Sequence, residues 1–106
     1  MALIYIVEDD KNISEIESFS LKNAGHQTVE FPDGRSFYKE LAEKKPDLIL
    51  LDIMLPDEDG LSILRKIREK RETKRIPVIM VTAKTTEIDK VNGLDNGAEH
   101  YMPKPF

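Results

Sequence analysis

The chain has 106 residues with a net charge of −4, a hydrophobic share of 40%, and no cysteine or tryptophan. This length and composition fit one folded domain and exclude a disordered chain, a disulfide framework and a thiolate metal site. Apolar runs of four or five residues and the lack of a leader predict a cytoplasmic domain without a membrane span, and the acidic balance argues against general nucleic-acid binding.

The first half of the chain predicts two strand–helix units. Leu3 to Val7 is an apolar run typical of a buried strand. A helix follows with Ile13 and Ile16 at helical spacing, and we expect Asn12 to cap it and Gly25 to end it. The second unit consists of a strand, a turn and a helix, predicted over residues 27–31, 32–34 and 36–44.

The second half of the chain continues the same alternation. Its two fully apolar runs predict buried strands, its two stripes at helical spacing predict helices, and a weak final run predicts a last strand. In chain order these are the strand 48–51, the helix around Leu61 to Ile67, the strand 78–81, the helix around Ile88 to Leu94 and the strand 100–102.

This order of elements predicts an α/β fold with a doubly wound, five-stranded parallel sheet and helices on both faces. The uniformly apolar strands belong in the centre and the two weaker ones at the edges, in the order 2-1-3-4-5. Pro103 suits an edge strand, because proline cannot donate to a ladder. Ligands of such sheets bind at the carboxyl ends of the strands.

Chemically active side chains follow four of the five strands: Glu8 and Asp9 the first, Asp52 the third, Thr82 the fourth and Lys104 the fifth. Because neighbouring strand ends converge, these groups should share one crevice. Carboxylates that close repel unless a cation joins them, and oxygen ligands favour a hard divalent cation such as Mg²⁺. Each acid alone could be a solvated loop residue, but the combination favours a site.

Four motifs resemble the receiver domain of bacterial two-component response regulators. The similarity spans nearly the whole chain and implies a flavodoxin-like fold, Mg²⁺ or Mn²⁺ as cofactor, and a sensor histidine kinase as partner. The strand order 2-1-3-4-5 is also that of this family, so it rests on the resemblance as well. The motifs are Val7-Glu8-Asp9-Asp10, Leu51-Asp52-Ile53-Met54-Leu55-Pro56 with Asp59-Gly60, Val81-Thr82-Ala83-Lys84, and Gly97-Ala98 through Tyr101-Met102-Pro103-Lys104-Pro105-Phe106.

The resemblance implies a role for each matching residue. Asp52 would be the phosphoacceptor, forming an acyl phosphate. The metal would be held by Glu8, Asp9, Asp52 and the backbone carbonyl of Met54, with Asp9 bound directly and Glu8 through water. The remaining roles are phosphoryl binding by Thr82, Ala83 and Lys104, conformational switching by Thr82 and Tyr101, and tuning of dephosphorylation by Met54 and Lys84.

Residues 89–98 resemble helix four of the winged-helix transcription-factor branch, the OmpR/PhoB-like regulators. In that branch, phosphorylation promotes a homodimer through the helix-4, strand-5, helix-5 face. Lys90, Asp95 and Glu99 are the candidate residues of that face here. His100 and Pro103 depart from the residues usual in the branch. DNA binding would belong to an effector domain that is absent from this sequence.

Three other sets of charged residues have plainer interpretations. We expect Asp10 to favour the first helix as a first-turn acid, and Asp57, Glu58 and Asp59 to face solvent, with Asp59 capping the third helix. Between Arg65 and Arg75 lie seven basic and two acidic residues. A nucleic-acid patch is conceivable there, but a solvated helix face is the favoured interpretation.

Other functions remain open at this stage. A phosphohydrolase with an aspartate nucleophile would need a general acid where the chain has Met54, and a flavin module would need a phosphate loop after the first strand, where Glu8, Asp9 and Asp10 stand. A stand-alone receiver, or a degenerate receiver that only docks, are further alternatives. The favoured hypothesis is a receiver whose only catalysis is its own phosphorylation and slow dephosphorylation.

We expect one receiver domain over residues 1–106, truncated before its fifth helix, since the pattern supplies five strands but only four helices. The missing helix would cover the same face of the sheet as the first helix. An apolar surface should then be exposed beside Ile13 and Ile16.

Overall fold

The computed structural model describes residues 2–82 and 100–103, and the side chains of residues 2–81. Its strands form one parallel sheet in the order β2-β1-β3-β4-β5, which confirms the predicted fold class and strand order. The strands are β1 (Leu3–Val7), β2 (Gln27–Phe31), β3 (Leu48–Leu51), β4 (Val78–Thr82) and β5 (His100–Pro103).

The described residues include three helices, α1 (Lys11–Asn23), α2 (Gly34–Glu43) and α3 (Gly60–Glu69). An aspartate caps each of them: Asp10 for α1, Asp33 for α2 and Asp59 for α3. The prediction of Asn12 as the cap of α1 was therefore wrong, whereas Asp59 caps as expected. The predicted fourth helix lies outside the described residues, and none of the described helices is long and apolar enough to cross a membrane.

Side chains of β1 alternate between two apolar layers, because successive residues of a strand point to opposite faces. Tyr5 and Val7 belong to the larger layer, which α2 and α3 cover, and Ile4 and Ile6 belong to the smaller one. In the larger layer the rings of Tyr5, Phe31 and Phe37 meet edge to face, with centroids 5.0 to 6.3 Å apart. Both faces of the central strands are thus buried, which explains their unbroken apolar sequence.

Helix α1 packs on the sheet through polar residues and through Leu21, while the apolar surface expected beside Ile13 and Ile16 is exposed at Ile16. Its buried residues are Ser14, Glu17 and Ser18, whereas Ile16 and Phe19 are 51% and 68% exposed. The hydroxyl of Ser14 donates to the carboxylate of Glu30 on β2 at 2.6 Å, and the hydroxyls of Ser18 and Thr28 are hydrogen-bonded to each other, also at 2.6 Å. A further helix that would cover these exposed apolar residues stays a prediction.

Part of the basic segment after α3 serves the fold. The guanidinium of Arg68 donates to the backbone carbonyls of Lys74 and Ile76, at 3.2 and 2.6 Å. The buried hydroxyl of Thr73 donates to the carbonyl of Ile67 at 2.7 Å. These bonds fold the turn back onto the end of α3, so at least one of the seven basic residues has a structural use.

Gly60 lets α3 start directly against the end of β3. A Cβ atom at Gly60 would overlap the backbone carbonyl oxygen of Asp52, while the amide of Gly60 donates to Ile53 at 2.7 Å. Gly34 occupies the same first position of α2, but a Cβ there would meet the flexible end of Ile63 at 3.2 Å. Backbone is therefore the obstacle at Gly60, and a movable side chain is the obstacle at Gly34.

We expect Gly60→Ala to destabilise the fold by about 2 kcal/mol or more, because the methyl group must displace backbone. Gly34→Ala is the matched control and should change the free energy of unfolding by less than about 1 kcal/mol, since alanine also favours a helix. Urea unfolding followed by circular dichroism measures both. Equal costs for the two variants would contradict the packing described for Gly60.

Candidate functional site

The parallel register of β1 and β3 brings two acids together. Val7 pairs with Leu51, so the next residues, Glu8 and Asp52, leave the sheet side by side at its carboxyl edge. The amide of Glu8 donates to the backbone carbonyl of Phe31 at 2.9 Å, and the amide of Asp52 donates to the backbone carbonyl of Val7 at 3.0 Å. Both backbones are therefore fixed by the ladder just before their side chains enter the site.

Carboxylates of Glu8, Asp9 and Asp52 form one cluster, in which an oxygen of each lies within 4.8 Å of the others. Glu8 and Asp52 are only 3% and 2% exposed, whereas Asp9 is exposed. The structure thus brings together the three acids predicted for metal binding. Two of them stand in the protein interior and the third faces the solvent, from which a cation would enter.

Neighbouring amides orient two of these carboxylates. The amide of Asp10 donates to Glu8 Oε2 at 3.0 Å, and the amide of Met54 donates to Asp52 Oδ1 at 3.3 Å. The side chain of Asp10 instead accepts from the amides of Asn12 and Ile13, at 2.9 and 3.3 Å. Asp10 therefore serves α1 as its N-cap, whereas the sequence predicted an acid within the first turn, and it lies beside the cluster without belonging to it.

The donor set of the cluster fits a hard divalent cation. Two ionised carboxylates with oxygens no more than 4.8 Å apart repel by roughly 3 kcal/mol or more at an effective dielectric constant of about 20. A cation would turn this repulsion into attraction. All three side chains offer oxygen, which Mg²⁺ and Mn²⁺ accept, and two oxygens on opposite sides of one Mg²⁺ stand about 4.2 Å apart. Oxygens that all lie within 4.8 Å of one another are compatible with that span.

Met54 lies beside the cluster through its backbone. Its side chain is 59% exposed, while its backbone pairs with Asp59 in an isolated antiparallel bridge. The loop from Asp52 to Gly60 is thereby closed at its base, and the backbone at Met54 is held next to the carboxylate of Asp52. A backbone contribution of Met54 to a metal site is compatible with this position.

Asp57 at the tip of this loop has fixed partners on α2, although its side chain is exposed. Its two carboxylate oxygens accept from the amides of Gly34 and Arg35, each at 2.9 Å. Hydrogen bonds from backbone amides, above all that of Gly34, lower the pKa of Asp57. Asp57 faces solvent as the sequence predicted, but its bonds to α2 could not be read from the sequence, because α2 is distant along the chain.

Glu58 is half-buried and bridges two helices. Its carboxylate accepts from Tyr38 of α2 at 3.0 Å and from Ser62 of α3 at 2.7 Å, and it pairs with Lys66 at 2.7 Å. Burial alone would raise the pKa of Glu58, but the bonds from Lys66, Ser62 and Tyr38 outweigh it and lower the pKa. Burial and the Glu58 carboxylate together raise the pKa of Tyr38. The expectation that Glu58 faces solvent was wrong, because its partners on α2 and α3 cover most of its side chain.

The remaining predicted site residues lie at or beyond the limits of the described part. Thr82 ends β4, next to β3, and Tyr101 lies on β5 opposite Met80, so their backbones are placed while their side chains are not described. The other predicted residues fall outside the described part of the chain: Ala83, Lys84, Lys90, Asp95, Glu99 and Lys104.

Comparison with known proteins identifies a family. Residues 4–106 match the family model described as the response regulator receiver domain. A crystal structure from Chloroflexus aurantiacus, described as a response regulator, is 30% identical with a TM-score of 0.94, covering 99% of this chain and 86% of that one. The Mn²⁺-bound form of response regulator Rcp1 is 30% identical with a TM-score of 0.90, covering 98% and 81%. The BeF₃-activated N-terminal receiver domain of Klebsiella pneumoniae RstA is 31% identical with a TM-score of 0.90, covering 98% and 86%.

We expect Mg²⁺ to raise the melting temperature at constant ionic strength, because it offsets the repulsion among Glu8, Asp9 and Asp52. At ten times its Kd, the cation would stabilise the fold by about 1.4 kcal/mol. Asp9→Asn should lose most of this response without destabilising the metal-free protein, since it removes one of three like charges. Thermal unfolding with MgCl₂ against KCl measures the effect.

The control for this prediction is Glu43→Gln, which removes an exposed acid at the end of α2 and should keep the full response to Mg²⁺. A wild-type protein whose melting temperature does not change with Mg²⁺ would contradict the assignment of the cluster as a cation site. So would an Asp9→Asn variant that responds as strongly as the wild type.

Proposed function

This chain belongs to the response regulator receiver domains of two-component signalling, and we propose that Asp52 accepts a phosphoryl group from a sensor histidine kinase. The observation that carries the proposal is the position of Asp52 at the carboxyl edge of the sheet, with its carboxylate in one cluster with Glu8 and Asp9. A carboxylate is a competent nucleophile towards phosphorus. Its neighbours are the acids that would hold the required cation.

In the proposed reaction, an oxygen of Asp52 attacks the phosphorus of a phosphohistidine. The O–P bond of an acyl phosphate forms while the P–N bond breaks, and the electron pair of that bond leaves with the imidazole. A bound Mg²⁺, held by Glu8, Asp9, Asp52 and the backbone carbonyl of Met54, would offset charge on the phosphoryl oxygens. The amide of Met54, 3.3 Å from Asp52 Oδ1, would help to orient the attacking carboxylate.

The family resemblance supplies the remaining roles in this proposal. Thr82, the amide of Ala83 and the ammonium of Lys104 would bind the phosphoryl oxygens. Movement of Thr82 towards them would open space for the ring of Tyr101, which couples phosphorylation to the surface around β5. Met54 and Lys84 would set the rate at which the acyl phosphate hydrolyses, so that any catalysis acts only on the protein itself.

We further propose that this receiver controls a DNA-binding effector of the winged-helix, OmpR/PhoB-like branch. Support comes from the sequence of residues 89–98 and from the similarity to RstA, whose receiver is described as an N-terminal domain. Phosphorylation would promote a homodimer through Lys90, Asp95 and Glu99. The second candidate is a receiver without DNA-binding output; a phosphohydrolase is disfavoured, because Met54 stands where that chemistry needs an acid.

Incubation with Mg²⁺ and acetyl phosphate should add the mass of one phosphoryl group to the intact protein, and hydroxylamine should remove it, as expected of an acyl phosphate. Asp52→Asn should abolish the adduct, because the amide is not a nucleophile. Asp47→Asn is the matched control: Asp47 lies just before β3, at the other end of the strand, and should leave phosphorylation intact.

Intact-mass spectrometry decides between the outcomes. An unmodified wild type, in a sample where a known receiver domain is phosphorylated in parallel, would contradict the proposed function. An adduct that survives in Asp52→Asn would place the phosphoryl group on another residue. Turnover of a phosphate monoester that Asp52→Ala abolishes would instead support the phosphohydrolase.

A further inference from the structure

Asp57 joins the loop after the phosphoacceptor to a helix that is distant in sequence. Its carboxylate accepts from the first two amides of α2, Gly34 and Arg35, each at 2.9 Å. The first amides of a helix have no partner within the helix. The N-cap of α2 itself, Asp33, accepts from the amide of Ser36 instead. The first turn of α2 is thus capped twice, once from its own segment and once by Asp57.

We propose that Asp57 is a positioning residue, whose carboxylate ties the loop to α2 and so holds the backbone of Met54 against Asp52. This inference rests on the proposed function, since it is there that the carbonyl of Met54 serves as a ligand of the cation. Asp57 itself would touch neither the cation nor the phosphoryl group.

The construction of the loop explains how a contact at its tip reaches the site. Met54 and Asp59 are paired across the base of the loop, and the amide of Gly60 is bonded to Ile53. Gly60 packs tightly against the backbone of Asp52, and this contact holds the end of the loop in place. Because the base of the loop is closed, its tip is the part that these contacts leave unfixed. Asp57 binds the tip to α2.

Asp57 is a firmer anchor than its neighbour Glu58. The partners of Asp57 are backbone amides at the start of α2, which cannot rotate away. The partners of Glu58 are the ends of the side chains Tyr38, Ser62 and Lys66, of which two belong to α3, the helix that the loop itself enters. A fixed connection to a separate element of the fold is therefore made chiefly by Asp57.

The test compares Mg²⁺ affinities of variants at a temperature where each is folded. Asp57→Ala should weaken Mg²⁺ binding about tenfold, the size of effect typical for residues that orient metal ligands. Asp57→Asn should stay within about twofold of wild type, because its amide oxygen still accepts from a backbone amide although the charge is lost. Isothermal titration with MgCl₂ measures the dissociation constants.

Two controls separate positioning from charge and from helix stability. Glu58→Gln removes the same charge one residue away, and Asp33→Ala removes a cap of the same helix without touching the loop. Both should keep the Mg²⁺ affinity of the wild type. Amide hydrogen exchange in metal-free protein supplies a second measurement: Gly34 and Arg35 should both lose protection in Asp57→Ala, whereas Asp57→Asn, which keeps one acceptor oxygen, should retain protection at one of the two.

Each remaining result overturns the proposal. Asp57→Ala with the affinity of the wild type removes the positioning role. If Asp57→Asn binds Mg²⁺ as weakly as Asp57→Ala, the charge of Asp57 alone accounts for the effect. If Asp33→Ala binds Mg²⁺ as weakly as Asp57→Ala, the stability of α2 alone accounts for it. If the wild type binds Mg²⁺ and is phosphorylated while Asp57→Ala binds Mg²⁺ equally well, only the positioning role fails and the proposed function stands. If the wild type neither binds Mg²⁺ nor is phosphorylated, the proposed function and the positioning role are both contradicted.

Discussion

The site depends on one electrostatic constraint, the burial of two like charges side by side. Glu8 and Asp52 are almost fully buried, and the pairing of Val7 with Leu51 allows neither of them to move away. Two such carboxylates are tolerable when nearby groups compensate them, and here amide donors reach both. The arrangement favours a cation, which the proposed phosphoryl transfer to Asp52 would require.

Much of the architecture around this pair follows from the same constraint. The loop after Asp52 must turn sharply to keep its backbone beside the carboxylate, and Gly60 makes that turn possible because a side chain would strike the carbonyl of Asp52. The acids at the tip of the loop then bind to α2 and α3. The surroundings of the site are thus held by contacts that take no direct part in the proposed chemistry.

The fold and the acidic cluster could be predicted because both arise from patterns local in sequence. Strands covered on both faces must be apolar throughout, and residues that follow such strands must meet at one edge of the sheet. The inner face of α1 could not be predicted this way, since Ser14 and Ser18 are buried only because Glu30 and Thr28 of β2 supply hydrogen-bond partners. Asp57 and Glu58 were missed for the same reason: their partners lie on helices whose position the local pattern does not contain.

The central claim is that Glu8, Asp9 and Asp52 form a divalent cation site at the carboxyl edge of the sheet. Anomalous diffraction from crystals of this chain soaked in Mn²⁺ tests it most directly, since the anomalous signal distinguishes the metal from water and from lighter ions. The account predicts one strong anomalous peak among these three carboxylates, near the backbone of Met54. A strong peak elsewhere with none at this cluster, or no peak at millimolar Mn²⁺, would contradict it.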